Sequence, residues 1–175
     1  TDTGNTVPVI TFYPTFERAV TAARETVDVV QAGPTTDVAA AAAQVDPAPT
    51  PGQMEAGNYR KGHLEWNGLD ITIETAAGHE RVAKDGSWRV AEMPTHYGYV
   101  KGTEGRDGEH VDVFLSDPPA DGAPVFVIDQ IDPATSRFDE HKAMLGFETS
   151  RQAIRAYDGA FSDDSGPRRL GAWKE

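Results

Sequence analysis

No cysteine occurs among the 175 residues. Disulfide staples, thiolate nucleophiles and Cys-ligated zinc or iron are therefore excluded. Positive charge is scarce too: 16 Lys and Arg stand against 28 Asp and Glu, a formal net charge of -12. A nucleic-acid or anionic-membrane surface needs clustered cations, so neither is an expected partner. No apolar run approaches the ~18–20 residues that span a bilayer, and the amino end has no basic-plus-apolar signal pattern. An acidic chain that handles an anionic substrate needs local neutralisation, from a few placed Lys and Arg or from bound divalent cations.

What is present divides the chain into three. Residues 1–33 hold a short β-branched run, Val7 to Phe12, stopped by Pro14. A helix is predicted from about residue 15 to residue 31, because Phe16, Val20, Ala23, Val27 and Val30 recur at three- and four-residue spacing before Gly33. Residues 34–57 turn to Ala, Pro, Thr and Gly. Asp37 could cap a short helix over Ala39–Ala43, but Pro47, Pro49 and Pro51 read as an extended linker. Residues 58–175 carry the domain. Strands are predicted over Leu69–Glu74, Trp88–Val90, Tyr97–Val100, Val111–Leu115, Val125–Ile128 and Lys142–Phe147. One helix follows from Ser150 to about Ala160, with Thr149 and Gln152 as a capping box and Ile154, Tyr157 and Phe161 as its buried face. Short strands without intervening helices predict an α+β domain built on a small antiparallel or mixed barrel.

The chemistry concentrates between Pro94 and Val113. Asp107, Glu109 and Asp112 fall within six residues, at a turn that runs into an apolar strand. Gly108 permits a tight bend, so the three carboxylates are expected to converge. Like charges held together repel unless a cation sits among them, and oxygen-only donors favour a hard ion, magnesium first. A calcium EF-hand loop fails on spacing, since Gly follows the first Asp immediately. A second cluster is Phe138-Asp139-Glu140-His141-Lys142. On a regular strand Glu140 and Lys142 share one face, with Asp139 and His141 on the other. His96, His110 and His141 leave a zinc triad open as a different enzyme, although no His-Glu-x-x-His pattern exists. Trp66, Trp88 and Trp173 read as core or rim aromatics, not as a nucleobase platform.

Pro94-Thr-His-Tyr-Gly-Tyr99 followed by Asp107-Gly-Glu-His-Val-Asp112 resembles the soluble inorganic pyrophosphatases, whose signature is Asp-x-Asp-Pro-x-Asp shortly after a Pro-x-x-Tyr-Gly-Tyr strand. The run from Asn58-Tyr-Arg-Lys-Gly-His63 to Leu145-Gly-Phe147 looks like the pyrophosphatase-like domain of phage and mobile-element (polyvalent) proteins. The resemblance covers roughly residues 54–175. It departs at Glu109 and His110, where the family usually has Asp and Pro, and at the carboxy-terminal Tyr-Lys pair, since Tyr157 precedes Asp158.

The resemblance implies an OB-like barrel with flanking helices and magnesium-dependent hydrolysis of pyrophosphate or a related phosphoanhydride. By it, Asp107 and Asp112 hold several magnesium ions, with Glu109, Glu140, Asp139 and Glu74 as further ligands. Glu109 removes a proton from the nucleophilic water, while Tyr97, Lys142, Arg81 and Arg89 contact phosphate. It also implies a cytoplasmic or virion-associated protein, with the amino-terminal helix docking to a phage particle or to the same polypeptide, and a homo-oligomer as a further expectation. The alternative from another class is a silent module of the same fold, serving as a structural adaptor.

Overall fold

The computed structural model describes residues 10–13 (backbone only), 37–83, 86, 88–132 and 135–161. The helix expected over residues 15–31 lies outside the described residues. In chain order the elements are β1 (Ile10–Tyr13), α1 (Val38–Ala42), α2 (Pro51–Ala56), β2 (Gly62–Trp66), β3 (Leu69–Thr75), β4 (Arg81–Val82), β5 (Arg89–Val90), β6 (His96–Val100), β7 (Val111–Leu115), β8 (Val125–Asp132), β9 (Arg137–Leu145) and α3 (Ser150–Gly159). No helix among them is long and apolar enough to cross a membrane.

The main sheet runs β1-β8-β9-β7-β6-β3-β2, and β4 pairs with β5 in a separate hairpin. Every pairing is antiparallel except β7 with β9. The domain is α+β, as expected. Among the described residues, however, the edge strands β1 and β2 do not pair with each other, so no closed barrel forms. The reason is visible in the core: each face of the sheet is covered, and the strands need not curl onto one another. On β7, Val113 and Leu115 join one cluster with Leu64, Trp66, Ile71, Ile73 and Val100. Phe114 points the other way, into a cluster with Tyr97, Phe126, Ile128, Met144 and the residues of α3. This is the two-residue alternation of a strand buried on both sides.

Short elements close the two faces. Asp37 caps α1 by accepting from the Ala39 N–H at 2.9 Å. Val38, Ala41, Ala42 and Val45 bury against β2, so part of the stretch read as linker belongs to the core. Thr149 and Gln152 form the expected capping box on α3, which buries Ala153, Ala156 and Tyr157. Asn67-Gly68, both at positive φ, turn β2 into β3, which the two-residue hairpin requires. Gly98 lies where a Cβ would come within 1.8 Å of the Thr72 carbonyl oxygen of β3, so the Tyr-Gly-Tyr strand needs its glycine for backbone approach.

Two register shifts matter for the site. Ile73 pairs with Gly98 but Thr75 with Tyr97, so β3 carries one extra residue at Glu74. Asp129 pairs with His141 but Ile131 with Phe138, so β9 carries one extra residue opposite Gln130. A bulge sets two residues against one and re-aims the side chains beside it.

Candidate active site

A groove of about 880 Å³ is walled by the segment from Asp46 to Lys61, the end of β3, the β4–β5 hairpin, and residues of β6, β7 and β9. Asp112 sits at the centre of its charged wall. It is the cross-strand neighbour of Tyr99 on one side and of Lys142 on the other. The Tyr97 hydroxyl, diagonal to it, donates to Asp112 Oδ2, and the Lys142 ammonium donates to the same oxygen. Lys142 is 3 % exposed and also meets Glu140 Oε1 at 2.7 Å, so one buried ammonium bridges two carboxylates. Glu74, re-aimed by its bulge, lines the groove and accepts from Lys61 at 2.5 Å.

The bulge on β9 changes what strict alternation predicts for the second cluster. Gln130 Nε2 donates to Asp139 Oδ2 at 2.9 Å and to Glu140 Oε1 at 3.0 Å, so these two carboxylates lie together and not on opposite faces. Gln130 is itself buried, and its Oε1 accepts from the Tyr157 hydroxyl of α3 at 3.0 Å. The helix that closes the core thus also fixes the carboxylates of β9.

Arg81 supplies the second buried-side cation. Its guanidinium lies 3.7 Å from the Tyr97 ring centroid and 5.0 Å from that of Trp88, and Nη1 is buried without a hydrogen-bond partner among the described residues. Arg89 does not join it. That side chain is exposed and paired with Glu80 on the hairpin.

Burial dominates the titration of the site. It holds the Tyr97 phenol well above the ordinary range, with Arg81 opposing and Asp112 adding. It raises Tyr59 in the same way, with Glu74 adding. Glu140 is raised first by burial, against the lowering effect of Lys142.

The three carboxylates expected to converge after Gly108 separate. Gly108 has the required φ of 82°. Asp107 Oδ1, however, accepts from the Glu109 N–H at 3.0 Å and closes its own turn, and Asp107 is absent from the groove wall that Glu109 and Asp112 share. Short Asp side chains bond to the backbone two residues on, and that local bond competes with a distant ligand. Among the described residues no three His, Asp or Glu side chains gather closely enough to hold a metal.

The zinc alternative fails with it. His96 Nδ1 accepts from the Ala77 N–H, His110 Nδ1 donates to the Thr103 carbonyl, and His141 Nδ1 pairs with Asp129, each in a different place. Glu74, Glu109, Asp112 and Glu140 in the groove wall are oxygen donors, which fits a hard divalent cation in kind, although His79 lines the groove as well.

Tyr59, Lys61 and Gln130 were not singled out in the sequence. Tyr59 and Lys61 line the groove two residues apart, with Lys61 Nζ 5.0 Å from the Tyr59 ring centroid. Their signal was present in the Asn58–His63 run. Gln130 had a weaker one, a lone amide at the end of an apolar strand.

The sheet thus sets Lys61 and Arg81 beside carboxylates in one groove, with Lys142 bridging two of them. A family model described as Inorganic Pyrophosphatase matches residues 51–172, and the chain belongs to that family. No curated protein and no solved structure matches it.

Proposed function

We propose that the chain hydrolyses inorganic pyrophosphate with magnesium ions as cofactors. The observation that carries this reading is one groove lined by Lys61 and Arg81 together with Glu74, Glu109 and the Lys142-bridged carboxylates Asp112 and Glu140, on a chain of the pyrophosphatase family. Magnesium would be held by Glu74, Glu109, Asp112 and Glu140 only once these groove carboxylates close on it, since as they stand no three described side chains are near enough; when bound it neutralises phosphate charge and lowers the pKa of coordinated water.

The protein's own residues supply the rest. Glu109, on the exposed turn, takes a proton from the attacking water. Arg81 presents an unpartnered buried N–H to a phosphate oxygen, and the fork of a guanidinium can bind two oxygens at once. The Tyr97 phenol, protonated at neutral pH as any tyrosine is and held still higher by burial, donates to Asp112 and fixes that carboxylate. Lys142 holds Asp112 and Glu140 together until a divalent cation competes for the carboxylates or a phosphate for the ammonium. Lys61, stacked near Tyr59 and Tyr99, positions the remaining charge at the rim.

Phosphate release from pyrophosphate in magnesium, compared with Asp112→Asn, tests the reading. The variant is expected to lose roughly 100-fold or more, the scale for removing one electrostatic group from a preorganised site. Equal background release from both proteins would make the domain a silent module of the same fold.

A further inference from the structure

Resting on the phosphoanhydride reading, we propose that the groove takes a diphosphate esterified with a neutral organic group in preference to bare pyrophosphate. Charged residues make up only part of the lining of the 880 Å³ groove. Cavities of roughly 300–1,000 Å³ bury drug-sized organic molecules, and a bare diphosphate is far smaller. The rest of the lining is of another kind. Pro49 and Met54 from the segment before β2, and Val82, Ala83 and Trp88 from the hairpin, are all partly buried apolar or aromatic side chains in the same groove. None of the five has a role in handling phosphate.

Arg81 marks the junction between the two parts. Its guanidinium stands over Tyr97, which bonds Asp112, and it also lies 5.0 Å from the Trp88 ring centroid. A phosphate held by Arg81 would therefore place its ester substituent toward Trp88. Charge argues against extending the phosphate chain in that direction, because Asp46 and Glu55 line the same segment as Met54 and repel further anions. Trp88 Nε1 and His79 Nδ1, on two residues of the same lining, are buried without hydrogen-bond partners among the described residues.

The reaction stays the same at the phosphorus. Water oxygen bonds to the terminal phosphorus as Glu109 takes the proton. The bridging P–O bond breaks, and the bridging oxygen leaves on the esterified phosphate. The products are orthophosphate and a phosphate monoester.

Steady-state hydrolysis of pyrophosphate and of phenyl diphosphate, in magnesium, gives the first comparison. Calorimetric binding of methylenediphosphonate and of its phenyl ester gives the second, which needs no turnover. The ester is expected to be preferred by about tenfold or more, the usual worth of filling an apolar subsite. Met54→Trp, which narrows the apolar part from a helix with no buried residues, should collapse that preference toward unity. If Met54→Trp does not fold, the wild-type preference decides alone. Pyrophosphate turnover with no ester preference in either comparison overturns the inference and leaves the hydrolase reading standing. No turnover of either substrate, with the ester analogue still bound tenfold tighter, keeps the organic subsite and overturns the hydrolase reading. Absence of both turnover and preference overturns both.

Discussion

Replacing Lys142 with Met removes the one ammonium that stands between Asp112 and Glu140 and leaves the rest of the side chain's volume in place. The gross attraction to Glu140 at 2.7 Å is about 6 kcal/mol at an effective dielectric constant of about 20. The cost of desolvating the ammonium offsets much of it. Deleting one partner of a buried pair nevertheless costs roughly 3–5 kcal/mol, because the other charge is left uncompensated. Asp112 and Glu140 keep 20 % and 21 % of their side-chain surface, so the expected loss sits at the lower end, about 3 kcal/mol at neutral pH.

The pH dependence has a definite sign. Burial already raises Glu140 against the opposing effect of Lys142, and losing the ammonium raises it further. A carboxyl with a raised folded-state pKa holds its proton more tightly when folded, so the variant's deficit is full above that pKa and shrinks as pH falls through it. Urea unfolding of both proteins across the acid range measures this. Adding Glu140→Gln to Lys142→Met should recover part of the loss. A Lys142→Met midpoint equal to wild type at neutral pH, with an unchanged m-value, would refute the bridged-carboxylate account.

Arg81→Ala should lower kcat/KM for pyrophosphate by roughly 100-fold, whereas Arg89→Ala, exposed and paired with Glu80, should stay within about threefold; equal losses in steady-state assays would contradict the assignment. Gly98→Ala sets a Cβ 1.8 Å from the Thr72 carbonyl oxygen and should cost about 3 kcal/mol or more, since β3 and β6 must part and lose ladder hydrogen bonds. A thermal or urea midpoint unchanged from wild type would show that the strands are not so closely apposed. His96 is held neutral by burial, with Asp117 opposing. Its folded pKa lies below the ordinary value near ~6.5, so it contributes a loss of stability as pH falls below that value, because the unfolded chain takes the proton first. His96→Asn should flatten that part of the stability profile, and identical profiles would remove His96 as its source.

Much of the fold is written in periodicity and punctuation. β7 coincides with the apolar run Val111–Leu115, and α3 begins where Thr149 and Gln152 announce a capping box. β2, Gly62–Trp66, is missing from the strands that the sequence predicts, because its run of apolar alternation is only five residues long. The signal was there in Asn67-Gly68, the turn that demands positive φ at both positions. Barrel closure was the wrong inference from short strands alone. Strand count does not say whether helices cover both faces, and here α1 and α3 do. The carboxylates after Gly108 were legible as chemistry but not as geometry, since the Asp107 turn bond is a local event that spacing does not encode.

What periodicity hides most completely is the part of the site built where periodicity breaks. Strict alternation would aim Glu74 by the pattern of Thr72 and Asp70, and would set Asp139 opposite Glu140. The extra residue on β3 instead delivers Glu74 to the groove, and the extra residue on β9 lays Asp139 and Glu140 against a single Gln130 amide. Between them, β7 keeps its register and contributes Asp112 to the same face as Lys142. Bulged strands flanking the regular pair β7 and β6 bring carboxylates together that like-charge repulsion would otherwise keep apart. They do so without long loops, because each bulge shifts only one residue. The cost of that crowding is met locally by Lys61 on Glu74 and by Lys142 on Asp112 and Glu140. A chain with a net charge of -12 therefore pairs its few cations with carboxylates where a diphosphate would compete for the cations and a divalent metal for the carboxylates, which is the electrostatic condition for binding both.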